Sequence, residues 1–147
     1  MRNKSRLFYK LGSYALILFA AVHTAAFFTD PAKLLTDEES KKVWQLIDTH
    51  QFNLEGMSFT IRSLMLGFNW YLEIFTLGLG VLNLLIARQL TEQVSSLRLM
   101  AVANVVMVGL LVVVIAIYFH LPPLVIFGLS WVFFLVSLLT APKNHHT

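Results

Sequence analysis

The chain has 147 residues, 57% hydrophobic and 13% charged, with a mean hydropathy of +0.71. A soluble domain carries about 25% charged residues, so this is the composition of an integral membrane protein with no room for a separate soluble domain. Cys is absent, which excludes disulfides, thiolate catalysis and Cys-ligated metals; the net charge of +3 comes from basic residues at the ends of apolar runs, where lipid headgroups lie, and not from a nucleic-acid patch.

Four apolar runs reach the roughly 17–25 residues needed to cross a hydrocarbon core of about 30 Å. The first runs from about Phe8 to Phe28. Its basic start and the small residues of Thr24-Ala25-Ala26 also suit a cleaved signal peptide, but the run exceeds the roughly 7–15 residues of a signal core. The outer loop follows, from about Thr29 to Met57. There Thr36 and Glu39 form a capping-box pattern. Val43, Leu46, Ile47 and His50 recur at helical spacing with Trp44 beside them. They predict a short amphipathic helix from about Asp37 to Thr49, lying on the outer membrane surface or capping the bundle, with Val43, Leu46 and Ile47 on its buried face.

The second span runs from about Ser58 to Ala87, and the third from about Leu97 to Phe119. The third is rich in Val and Ile, which favour strands in water. In lipid the backbone must satisfy itself within the segment, so a helix is expected. The link His120-Leu-Pro-Pro makes the third and fourth spans antiparallel neighbours. Pro122 and Pro123 suit the first turn of the fourth span, about Pro122 to Thr140, where missing amide protons cost little. The expected fold is all-α: a polytopic four-transmembrane-helix bundle, one membrane domain over residues 1–147, with the amphipathic helix in its first outer loop.

Orientation follows from Lys and Arg. Arg2, Lys4, Arg6, Lys10, Arg88, Arg98 and Lys143 fall on one side, and Lys33, Lys41, Lys42 and Arg62 on the other. The acidic residues Asp30, Asp37, Glu38, Glu39, Asp48 and Glu55 accompany the smaller set. Both termini are expected in the cytoplasm.

Glu73 stands within the second apolar run. A carboxylate at bilayer depth costs several kcal/mol unless it is protonated, paired or hydrated. On a helical wheel, Arg62, Asn69, Thr76, Gly80 and Asn83 all fall within an arc of roughly 80° beside Glu73. That arc is expected to face the bundle interior. Arg62 is about 16 Å from Glu73 along the axis, so it reads as a headgroup anchor or a lid. Asn69 is one turn away and within reach. His23 lies at a similar depth on the first span and is the expected partner from another helix. Asn104 sits nearer Asn83. Ser130 and Ser137 can bond their own helix carbonyls and carry little signal.

These residues give the candidate ligand set Glu73, Asn69, His23, Thr76, Asn104 and Arg62. The competing reading of Glu73 is a hydrogen-bonded carboxyl that locks helix packing, and of His23 a satisfied packing histidine. Haem would need His23 and His120 at one depth, and His120 stands too near the surface. Zinc lacks clustered ligands, and His145 and His146 lie in a polar tail. Gly67, Gly78 and Gly80 allow close helix approach without a Gly-x-x-x-Gly pair, so a homodimer or a membrane-complex partner is compatible with the chain.

The stretch Tyr71-Leu-Glu-Ile-Phe-Thr-Leu-Gly-Leu-Gly-Val-Leu-Asn-Leu-Leu-Ile-Ala-Arg88 resembles the DoxX-like group of small bacterial four-helix membrane proteins. Glu73, Gly78 or Gly80, and Arg88 stand where that group has a glutamate, a glycine and a short basic loop, with the glycine spacing shifted. His23-Thr24 and Asp30-Pro31 are also similar; the long outer loop departs from the compact members. The resemblance implies a four-helix bundle and, by analogy, an accessory role beside a quinone-linked redox enzyme. The functional expectation is a non-enzymatic protein binding a quinone or lipid near Glu73. The alternatives are a small proton-coupled transporter with Glu73 as carrier and a structural subunit of a membrane complex.

Overall fold

The computed structural model describes residues 2–29, 31–89, 94–119 and 121–142. Asp30, His120, Lys143, His145 and His146 lie outside the described residues. The four apolar runs form long helices: α1 (Arg2–Ala26), α3 (Ile61–Gln89), α4 (Val94–Tyr118) and α5 (Leu121–Thr140). Each is long and apolar enough to cross a membrane, so the chain is an all-α, multi-pass membrane protein. The Val- and Ile-rich α4 is helical throughout, because hydrocarbon offers its backbone no partner outside the segment. Pro122 and Pro123 occupy the first turn of α5, where no intrahelical amide bond is lost.

The connection from α1 to α3 holds most of the departures from expectation. A 3-10 turn (Pro31–Leu34) precedes α2 (Glu38–Thr49). The cap of α2 is Asp37 and not Thr36: its extended backbone lets the carboxylate accept from Ser40 N–H at 2.7 Å. That hydrogen bond holds the Asp37 carboxyl below the usual carboxylate range. Val43, Leu46 and Ile47 do share one face of α2, but none of the three is buried among the described residues: Val43 and Leu46 are 56% and 65% exposed and Ile47 is half-buried. Spacing fixes which residues lie together and leaves open what packs on them.

Ser58, Phe59 and Thr60 are not the start of a helix. They belong to β2 (Met57–Thr60), which pairs antiparallel with β1 (Gln51–Leu54), Phe52 opposite Phe59. Glu55 and Gly56 form the two-residue turn with φ of 51° and 82°, the pair of positive values that matches the twist of a hairpin. Thr60 then caps α3: its Oγ1 accepts from Ser63 N–H at 3.1 Å, while Ser63 Oγ accepts from Thr60 N–H at 3.0 Å.

The chain divides into two compact units, Val22–Phe75 and a second made of Met1–Ala21 with Thr76–Thr147. In the Val22–Phe75 unit, Arg62 of α3 pairs with Asp48 of α2 at 2.8 Å, and Phe52 meets Phe59 edge-on at 4.5 Å. The other unit is a packing of four helices. Ser5, Tyr9, Ser13, Leu16 and Ala20 form the buried stripe of α1, at the spacing of one helix face. Ser5 Oγ donates to Ser137 O at 2.8 Å, and Ser130 Oγ donates to Gly12 O at 2.9 Å. Trp131 Nε1 donates to Val105 O at 3.0 Å, joining α5 to α4.

Of the glycines expected to allow close approach, only Gly80 does so. A Cβ there would stand 2.7 Å from Ile17 Cγ1 and 3.0 Å from the Ser13 carbonyl oxygen. At Gly67 and Gly78 a Cβ would meet nothing within 4 Å.

Candidate functional site

The inward positions of α3 are Glu73, Thr76, Gly80, Asn83 and Ala87, alternating by three and four residues as a single helical stripe must. The intervening Ile74, Phe75, Leu77, Val81, Leu82 and Leu85 are exposed, as lipid-facing residues would be.

Glu73 is 3% exposed and spends both carboxyl oxygens on α1. His23 Nδ1 hydrogen-bonds Oε1, and Thr24 Oγ1 donates to Oε2 at 3.3 Å. His23 stands in the last turn of α1, where the helix dipole favours a positive group. Its ring meets Phe27 edge-on at 5.0 Å, and Phe27 meets Trp70 in the same way at 5.4 Å. Phe27 therefore borders the imidazole, and Trp70 packs on Phe27. The side chain of His23 is 23% exposed, against 4% for Glu73. The imidazole is thus the more accessible half of the pair.

Chemically, such a pair can hold a proton, pass it between oxygen and nitrogen, or donate a hydrogen bond to a carbonyl or phosphate oxygen. Hydrogen bonding of both carboxyl oxygens lowers the cost of keeping Glu73 in an apolar span.

The other expected site residues are distributed elsewhere. Asn69 is half-buried and makes no hydrogen bond among the described residues; Thr24 takes the place expected for it against Glu73. Arg62 is tied to Asp48. Thr76 is buried, and among the described residues its Oγ1 has no partner. Asn104 belongs to a separate polar cluster in the four-helix unit. There Tyr9 OH donates to Asn83 Oδ1 at 2.7 Å, and Asn83 Nδ2 donates to Asn104 Oδ1 at 2.7 Å. Asn104 Nδ2 closes the ring with Tyr9 OH and Asn83 Oδ1, each at 3.1 Å, and also reaches Met100 O at 2.8 Å.

Sequence reasoning missed Tyr9 and Thr24. Tyr9 had a signal: Ser5, Tyr9 and Ser13 place a hydroxyl every four residues on one face of an apolar helix. Among the described residues, no group of three or more His, Cys, Asp or Glu is placed to hold a metal ion. Comparison with protein-family models, with curated proteins and with solved structures finds no match to this chain.

Proposed function

We propose that this chain is a bacterial inner-membrane protein, with both termini cytoplasmic, that binds the polar head of a small lipophilic molecule at the His23–Glu73 pair. A quinone suits the pair best. Its carbonyl oxygen accepts a hydrogen bond, and on reduction it takes up protons that an acid–imidazole pair can supply. Electrons would come from a partner redox enzyme, in keeping with the resemblance to the DoxX-like group. The observation that carries this reading is the buried Glu73 carboxyl held by a partly exposed imidazole and a hydroxyl, with Phe27 edge-on to the imidazole and Trp70 packed on Phe27. Ionisable groups within spans usually mark binding sites or pathways.

The test is native mass spectrometry of the wild type and Glu73→Gln after mild extraction, each incubated with a quinone. The wild type should retain quinone and Glu73→Gln should lose it at unchanged expression. Equal retention would leave the pair as a packing lock. A second reading, proton-coupled transport, draws support from the same juxtaposition of two titratable groups. It requires proton flux into liposomes that Glu73→Gln abolishes.

A further inference from the structure

The four-helix unit carries an uneven charge. Its sequence holds Arg2, Lys4, Arg6, Lys10, Arg88, Arg98 and Lys143 against a single acidic residue, Glu92. Three of these cations stand on the residues around one contact of α1 with α3. Arg6 Nε donates to the carbonyl of Ala87, near the end of α3, at 2.9 Å. Lys10 lies one turn further along α1, on the same face as Arg6. Arg88 follows Ala87 on α3 and is exposed. Among the described residues, none of the three has a carboxylate partner.

The bond to Ala87 has a geometric consequence. It uses one of the five guanidinium N–H groups and fixes the plane of the fork. The four N–H groups on the two Nη atoms have no partner among the described residues. A fixed planar fork matches two oxygens of a phosphate, and two further cations flank it. The surroundings say which phosphate. The α1 span begins at Lys4, so Arg6 and Lys10 stand in its first two turns, at headgroup depth. Beside their face of the helix Leu7, Tyr14 and Leu18 are 54%, 55% and 57% exposed, a strip about 16 Å long at 1.5 Å per residue. A free anion has no use for such a strip, whereas an acyl chain would lie along it.

The geometry points to a binding site for the phosphate of an anionic phospholipid, formed by Arg6, Lys10 and Arg88 at the junction of α1 and α3. It is independent of the His23–Glu73 pair.

The experiment places the full chain in nanodiscs of equal phosphatidylglycerol and phosphatidylcholine, and counts retained lipid by native mass spectrometry on release. The wild type should retain phosphatidylglycerol preferentially. Arg6→Gln should lower that retention about tenfold, within the range for loss of a charge-assisted bond. Arg6→Lys, which keeps the charge and loses the fork, should behave like Arg6→Gln. Arg88→Gln breaks no hydrogen bond among the described residues and tests the site without disturbing the fold; it should lower retention several-fold. Lys42→Gln, an exposed cation of α2 outside this unit, should leave it unchanged. Equal retention of both lipids by the wild type, or an equal loss in Lys42→Gln and Arg6→Gln, would overturn the site. Displacement of the lipid by millimolar inorganic phosphate alone would reassign it to a free anion.

Discussion

Removing the Asn104 side chain should cost about 2 kcal/mol of stability. Asn104 takes part in three bonds to other helices: it accepts from Asn83 Nδ2, and its own amide donates to Tyr9 OH and to Asn83 Oδ1. A side-chain bond between helices in a membrane is worth about 0.6 kcal/mol on average and about 1.7 at most, so three come to about 2 kcal/mol. The stranded Asn83 amide gives a similar figure from the opposite direction, since a buried donor without a partner costs about 1–3 kcal/mol. Asn104→Ala should therefore lower the folded-to-unfolded ratio roughly 30-fold. Asn83→Ala should cost a similar amount. The double variant removes four distinct bonds and should cost about 2.4 kcal/mol, not the sum of the two, because the bonds between the pair are lost only once. Steric-trap unfolding in bicelles would measure all four corners of the cycle. An Asn104→Ala cost below about 0.5 kcal/mol, or strictly additive variants, would refute the claim that this ring of bonds couples α1, α3 and α4.

Gly80→Ala should destabilise by about 1–3 kcal/mol, because the Ser13 backbone carbonyl in its path cannot swing aside. Gly78→Ala meets open space and should stabilise by up to about 1 kcal/mol through helix propensity; thermal unfolding in detergent compares the two. The Asp37 cap bond should show in the Ser40 amide, whose hydrogen exchange should speed up in Asp37→Ala. Its pH dependence has a definite sign. The folded Asp37 carboxyl titrates below its ordinary value, so the cap is fully present above that value and is lost as pH falls through the depressed one. Arg62→Gln should change global stability by less than about 1 kcal/mol, since both partners of the Asp48 pair are partly exposed. It should instead raise spin-label mobility on α2.

The lipid-spanning part of the fold was legible because hydrocarbon leaves a chain few choices. A run such as Leu97 to Tyr118 has to be a helix, and polar residues within a span have to turn inward. Glu73, Thr76, Gly80 and Asn83 therefore fell on one arc and are all buried. Outside the lipid those constraints lapse. The Glu55-Gly56 turn was hidden because Met57–Thr60 reads as a continuation of the apolar run that follows. Thr36 and Asp37 both suit a helix cap, and only the extended backbone at Asp37 decides between them. The candidate site was half legible. His23 and Glu73 each stood out as ionisable groups in lipid, and the structure joins them. Thr24 carried no such mark, because a helical Thr can satisfy its hydroxyl on its own backbone.

The position of His23 along α1 bears on how Glu73 could be reached. Both residues that hold its carboxyl, His23 and Thr24, stand in the final turn of α1, which ends at Ala26. That turn is closed by short backbone bonds, from Phe27 N–H to Thr24 O at 3.1 Å and from Phe28 N–H to Ala25 O at 3.3 Å. Glu73 has 12 residues of α3 before it, and so stands well inside its own helix. Helix ends open at a small fraction of the free energy needed to unfold a helix centre. Fraying α1 by one turn would withdraw imidazole and hydroxyl together while the backbone that carries Glu73 stays helical. The carboxyl is in effect latched from a loose end, and the rate of proton access to it would follow the unwinding of that turn.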